Sequence, residues 1–319
     1  MMRGLVLGPG LCLQEDRPKP GGRPQEAVIQ VLQAGICSTD LHLAKGYMNF
    51  QGVLGHEFVG IVDQAPNHSG LVGKRVVGEI NAACRTCGTC FQGRPTHCPD
   101  RTTLGIMGRD GAFADYLSLP IENLYSVPES VSNDQAVFIE PLAAACEIPQ
   151  MVPINPTDGI VIIGDGKLGL LCAQVLALLG CHVTLLGRHE ENHAWLTQKG
   201  IAVTSEIQDI PPGVDIVVEA TGSPLGLTMA ANLVRPRGTI VLKSTYHGEV
   251  LVNMTQLVMD EISIIGSRCG PFAPALRLIA NGKIDVEPLI HARFSLSEGI
   301  QAMEQASHPG TLKVLLTMS

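Results

Sequence analysis

The chain has 319 residues and a formal net charge of −8, so it carries no basic footprint of the kind that nucleic-acid binding requires. Hydrophobic residues make up 45% and charged residues 16%, an ordinary globular composition with ample material for a core and length enough for two domains. Ten cysteines are too sparse for a disulfide scaffold and fit a reducing compartment. Residues 1–5 open no apolar run of signal-peptide length, and the longest apolar stretch, 168–179, is interrupted by Gly and Gln and falls short of a bilayer. A cytoplasmic protein without membrane contact is expected.

Residues 1 to about 130 read as short strands and turns. Residues 27–32 alternate and are rich in β-formers, 58–62 form a second strand, the turn at 73–75 feeds a third, and 111–117 is a further candidate. This region also holds most of the chemistry. Cys37 is followed by the dipeptide His56-Glu57, a mixed ligand set able to hold zinc with one coordination position open. Downstream, Cys84, Cys87, Cys90 and Cys98 are spaced C-x2-C-x2-C-x7-C. Four thiolates on one loop close a tetrahedral shell, so this second zinc is expected to staple a loop and not to catalyse. The open site needs a further protein ligand, and Glu140, in Ile139-Glu140-Pro141-Leu142, is the best candidate. A lone Cys37 is otherwise a small buried hydrophobe, and a lone Glu140 a helix carboxylate pairing with a surface cation.

From about 132 the texture changes. Residues 132–146 have a helical pattern with Asn133 and Asp134 near the start. Residues 159–163 are an apolar run suited to a buried parallel strand. Gly164-Asp165-Gly166-Lys167-Leu168-Gly169 then fits G-x-G-x-x-G between that strand and a helix ending at Gly180. In that context the first Gly makes the turn, the second admits a pyrophosphate and the third packs helix on strand, with the helix N-terminus and the Lys167 and Leu168 backbone facing the phosphates. Strands at 181–186, 215–218, 238–242 and 262–265 alternate with helices, which argues a parallel sheet covered on both faces. After the second of these strands stands Gly187-Arg188-His189, where an NAD site wants Asp or Glu. Arg188 suits a 2′-phosphate, so NADP is expected over NAD; Glu190 and Glu191 lie close enough to the ribose to keep NAD open. The tail reads as a helix at 275–281, a segment at 284–289, a helix at 297–305 and a last strand at 311–316.

Taken together, these pieces resemble the zinc-dependent medium-chain alcohol dehydrogenases over nearly the whole chain. The matches run in the family's order: Gly-Ile-Cys-Ser-Thr-Asp-Leu-His at 35–42, Gly-His-Glu-Phe-Val-Gly at 55–60, the four-cysteine lobe, Gly-Ala-Phe-Ala-Asp-Tyr at 111–116, Glu-Pro-Leu-Ala at 140–143, and the nucleotide loop. The resemblance implies an α/β architecture: a GroES-like β-barrel catalytic domain over 1–142, completed by 276–319, and a Rossmann doubly wound parallel sheet over 143–275. It implies that Cys37 and His56 ligate the catalytic zinc, with Glu57 binding directly in some members. Glu140 stands where polyol, sugar and threonine dehydrogenases of the family carry Glu and alcohol-specific members carry Cys. It further implies that Thr39 takes the substrate proton, that His42 is a later station of that relay, and that Asp40 orients the histidine ligand.

The implied reaction is hydride transfer between a secondary alcohol and a nicotinamide, with two zinc ions per chain and a homodimer or homotetramer paired near 262–266. The chain is short for the family, and the interval from Cys37 to His56 is trimmed at the expected substrate mouth. A catalytically idle nucleotide-binding relative is the reading from another class; retention of the ligand positions and Thr39 speaks against it. A zinc-free quinone reductase of the same superfamily would lack these ligands.

Overall fold

The computed structural model describes residues 1–245 and 249–318. It divides into two units, one of Met1–Glu140 with Phe272–Ser319 and one of Pro141–Pro271.

The first unit is built on a sheet ordered Leu124–Ser126, Arg75–Gly78, Glu57–Gln64, Glu26–Gly35, Lys313–Thr317 and Ile290–Ser295, with Tyr116–Pro120 also paired to Glu26–Gly35. The last two strands come from the far end of the chain, so the C-terminus completes the N-terminal sheet. Glu26–Gly35 is central because both its faces are apolar: Ala27, Val28, Ile29, Val31 and Ala34 are all buried. Its register places Gly35 opposite Glu57 on one side and opposite Leu315 on the other. That crossing of three strands is where the chemistry gathers.

The second unit is a six-stranded sheet, ordered Ala202–Thr204, His182–Leu186, Gly159–Ile163, Val214–Glu219, Val234–Leu242 and Ser263–Gly266, with every pairing parallel. The order is that of a doubly wound nucleotide-binding sheet, in which ligands sit beyond the strand carboxyl ends at the switch of direction. Gly159–Ile163 is central and buried on both faces, as its continuous Ile and Val content predicts.

Two expectations are corrected. The helix at 132–146 is two helices, Asn133–Val137 and Ile139–Cys146, divided at Phe138; Ser132 starts the first with a capping box to Gln135. The segment at 284–289 ends in the short turn of helix Glu287–Leu289 around Pro288, and the strand Ile290–Ser295 follows it. The candidate strand at 111–117 forms only from Tyr116 onward, because Gly111, Ala112 and Phe113 spend their backbone N–H groups on Val53, Gly55 and Leu54. Ala202–Thr204 is a strand that the sequence reading missed; it is three residues long and too short for a periodic signal. Among the described residues no helix is long and apolar enough to cross a membrane.

Candidate functional site

Cys37 caps the helix Ser38–Ala44. Asp40, fully buried, bonds back: its Oδ2 accepts from the Cys37 N–H at 2.8 Å and its Oδ1 from the Gly55 N–H at 3.1 Å. One carboxylate thus ties the helix start to the turn that delivers His56, and the His56 Nδ1 lies 3.3 Å from Asp40 Oδ1. A carboxylate behind a histidine fixes its ring and raises its basicity, as in metal sites generally.

Cys37, His56 and Glu57 each offer a ligand atom, and the three atoms lie within 4.8 Å of one another. His56 and Glu57 are buried and Cys37 is half-buried. Burial works against charge on His56, yet Asp40 and then Cys37 raise its pKa well above the usual value. The field of the pocket therefore favours positive charge, and the donor set fits a zinc of mixed ligands. Glu57, and not Glu140, completes the trio. Glu140 opens the helix Ile139–Cys146 and stands outside the 4.8 Å cluster, near enough for its charge to be felt. Burial, moderated by His56 and reinforced by Glu57, pushes its pKa up to about 7.

The sequence reading missed Lys313. It begins the strand Lys313–Thr317, is 1% exposed, and its Nζ donates to Glu57 Oε2. Burial opposes its charge, but Glu57 and then Cys37 outweigh that and raise its pKa. Space for the pair is made by Gly35: a Cβ there would stand 2.5 Å from Glu57 Oε2 and 3.1 Å from Lys313 Cδ. The other Glu57 oxygen, Oε1, is buried without a hydrogen-bond partner, as a metal ligand would be. The signal was present in the sequence as one Lys in the otherwise apolar run 312–316. Removing one partner of a buried pair strands the other's charge. Lys313→Met is therefore expected to cost about 3–5 kcal/mol in urea unfolding, and Lys313→Met/Glu57→Gln to recover at least half of it. A single-variant loss below about 1 kcal/mol would mean that Glu57 draws its compensation elsewhere.

Thr39 and His42 share the face of the Ser38–Ala44 helix three residues apart. The Cys37 Sγ lies 3.8 Å from Thr39 Oγ1, which places the hydroxyl at the metal cluster. His42 meets the Tyr47 ring edge-on at 6.5 Å, and burial, helped by Lys45, lowers its pKa.

The second cluster is Cys84, Cys87, Cys90 and Cys98. Sulfur separations are 3.6 Å for Cys87–Cys90, 3.8 Å for Cys87–Cys98 and 3.4 Å for Cys84–Cys98. A tetrahedron of thiolates about 2.3 Å from zinc has edges of about 3.8 Å, so this loop is already close to metal geometry. The Thr86 amide and hydroxyl draw the Cys84 pKa down to about 6, favouring the thiolate.

In the second unit the helix Lys167–Ala177 starts at Gly166, whose open side meets nothing within 4 Å. Gly164 has φ +112°, and a Cβ on it would strike Ala220 O at 2.7 Å; one on Gly169 would strike Gly164 O at 1.9 Å. Gly164 and Gly169 are thus required by close backbone approach, while Gly166 leaves open room at the helix N-terminus, a cradle that fits a pyrophosphate. Arg188 is exposed and makes no hydrogen bond or ion pair among the described residues.

Two family models match: the Alcohol dehydrogenase GroES-like domain over residues 23–129 and Zinc-binding dehydrogenase over 168–281. Sorbitol dehydrogenase of Halalkalibacterium halodurans is 29% identical, the alignment covering 99% of each chain. A structure described as a zinc-binding dehydrogenase of Sinorhizobium meliloti 1021, bound to NADP, is 27% identical with TM-score 0.89 and 99% coverage of both chains. One described as the short chain alcohol dehydrogenase rspB of Escherichia coli CFT073, complexed with NADH, is 27% identical with TM-score 0.90 and the same coverage. The expected fold, a GroES-like β domain with a Rossmann domain, is the one observed.

Proposed function

The chain belongs to the zinc-dependent medium-chain alcohol dehydrogenase family, and from that premise we propose that it oxidises a secondary alcohol with a neighbouring polar group, of polyol, sugar or hydroxy amino acid class. The observation that carries this reading is the trio Cys37, His56 and Glu57 with Glu140 beside it: one thiolate among carboxylates. A set poor in thiolate is harder and exchanges ligands more readily than a two-cysteine set, so it accommodates two adjacent substrate oxygens.

Cys37, His56 and Glu57 would hold the catalytic zinc, and Cys84, Cys87, Cys90 and Cys98 the structural one, two per chain. When bound, zinc supplies Lewis acidity that eases loss of the hydroxyl proton, and the nicotinamide takes the hydride. Thr39 stands to accept that proton and His42 to pass it on, its lowered pKa keeping the imidazole neutral and able to receive. Glu140, protonated in part near neutrality, would hydrogen-bond a second substrate hydroxyl. The test is kcat/KM for a vicinal diol against its mono-ol analogue, in the wild type and in Glu140→Cys. The diol should be preferred by about tenfold or more, the worth of one hydrogen bond to a charged group. Glu140→Cys should erode that ratio. A better mono-ol with no change in Glu140→Cys would defeat the substrate reading.

NADP is the proposed cofactor. The neighbours include one with NADP and one with NADH, so the support is local: the exposed cation of Arg188 just after the strand His182–Leu186, where an acidic residue would read the ribose. Arg188→Ala is expected to weaken NADP by about 10- to 100-fold and leave NAD within about twofold, in a calorimetric titration. Tighter binding of NAD by the wild type would hand the reading to Glu190 or Glu191. A cytoplasmic homo-oligomer is also proposed. Ser263–Gly266 has an unpaired outer edge among the described residues, and the preceding helix exposes Met254, Val258 and Met259 at 65%, 69% and 76%. Sedimentation velocity returning a monomer would remove that proposal.

A further inference from the structure

Glu219 is fully buried at the end of the strand Val214–Glu219 and belongs to neither of the metal clusters. Its Oε1 accepts three hydrogen bonds: from the Thr221 N–H at 2.8 Å, the Thr221 hydroxyl at 2.6 Å and the Ser244 hydroxyl at 3.1 Å. With its proton given to Glu219, Ser244 Oγ is left as an acceptor and takes the Gly222 N–H at 2.8 Å. Thr221 Oγ1 in the same way takes the Ser223 N–H at 2.9 Å. One carboxylate thus holds two loops, 220–223 after its own strand and 243–245 after the strand Val234–Leu242. Room for it is left by Gly226, in the first turn of the helix Leu225–Leu233, where a Cβ would stand 2.3 Å from Oε1. The start of a helix also favours a negative charge.

The strands Gly159–Ile163 and Val214–Glu219 are neighbours, and the sheet grows away from them in opposite directions. Ligands of such sheets lie beyond the strand carboxyl ends at that switch. The glycine turn 164–169 is one wall of the crevice, and loop 220–223 is the other. The Ala220 N–H donates to Ile163 O at 2.9 Å, and a Cβ on Gly164 would stand 2.7 Å from Ala220 O and 3.1 Å from Thr221 Cα. Gly222, at the loop tip, is exposed. Sheets of this order bind one mononucleotide in each half, and the half with the glycine turn takes the pyrophosphate and the ribose that carries or lacks the 2′-phosphate. The half that opens with Val214–Glu219 is left for the nicotinamide nucleotide. We propose that Glu219 is a positioning residue for that half of the cofactor. It acts through Thr221 and Ser244, holding both loops in their docking shape before the cofactor arrives, so that their ordering is not charged against binding. The inference rests on use of a nicotinamide cofactor and is indifferent to the choice between NADP and NAD.

The experiment uses the zinc-loaded full chain, Glu219→Ala, Ser244→Ala and the double variant. Dissociation constants are read by calorimetry for NADP and NAD and for the same molecules without nicotinamide, 2′-phospho-ADP-ribose and ADP-ribose. Each single variant should weaken the dinucleotide that the wild type prefers by about tenfold, the worth of one hydrogen bond to a charged group, and its fragment by less than about twofold. The double variant should bind no more weakly than Glu219→Ala, because both changes break one network. Equal weakening of dinucleotide and fragment would mark a merely structural role and overturns the proposal. So does a Glu219→Ala chain that binds the dinucleotide as the wild type does, or a double variant whose losses add. Should Glu219→Ala fail to fold, Ser244→Ala decides: a loss confined to the dinucleotide supports the proposal, and unchanged affinity overturns it. A wild type that binds neither dinucleotide overturns the cofactor reading itself, and the proposal with it.

Discussion

A His56→Ala chain is expected to retain about one zinc, to unfold cooperatively, and to lose about a thousandfold or more in kcat/KM. Metal-assisted stabilisation of the reacting oxygen is worth several kcal/mol, and each 1.36 kcal/mol is about tenfold in rate. The loss is local because the fold does not hang on this residue. The sheet around it is held by the strand pairings of Glu26–Gly35 and by the Asp40 carboxylate, which bonds Cys37 and Gly55 whether or not the imidazole is there. Metal analysis and a denaturation curve on the same preparation check both halves. A variant that keeps two zinc ions, or that loses activity only through unfolding, would contradict the assignment of His56.

Cys87→Ser is expected to do the opposite: lose one zinc and a large part of the stability of the first unit. The Cys84–Cys98 loop has little else to hold it. Its helices are the four-residue Gly88–Phe91 and the three-residue turn Pro95–His97, Phe91 is 79% exposed, and only Cys98 among the four thiols is buried. Where ligands have no packing of their own, the free energy of metal binding is free energy of folding. The expected reading is about one zinc per chain and a fall of roughly 5 °C or more in Tm, a few kcal/mol for a domain of this size. Some turnover should survive, because the catalytic trio does not include this loop. A Cys87→Ser chain with wild-type Tm would show that the lobe carries no structural metal.

The doubly wound sheet was legible because its signals are local. Ile160, Val161 and Ile162 announce a strand buried on both faces, and the glycines that follow announce the turn. The cysteine lobe was legible by spacing alone. Cys37, His56 and Glu57 were legible as residue types, while their meeting was not, because it depends on Asp40 tying a helix start to a turn 15 residues on. Lys313 was hidden by sequence distance: its partner Glu57 lies 256 residues away, and only the register of Lys313–Thr317 against Glu26–Gly35 brings them together. Asp165 was hidden differently. It sat inside a recognised motif at a position the motif leaves open, and its bond to the His189 amide, 24 residues on, is seen only in the fold. The helix 132–146 reads as continuous because its apolar content is helical throughout; it is divided at Phe138 because Pro141 has no N–H to give the Val137 carbonyl.

The measurement that tests the central claim most directly is nicotinamide absorbance over a panel of polyols, sugars, hydroxy amino acids and simple alcohols. It is run with NADP and NAD in parallel, on zinc-replete protein and on protein stripped by a chelator and then reloaded. The account predicts reduction of the cofactor with a vicinal diol or related secondary alcohol, loss of that signal on stripping, and its return with zinc. Turnover that is indifferent to stripping, in protein shown to have lost the metal of the Cys37, His56 and Glu57 site, would contradict it.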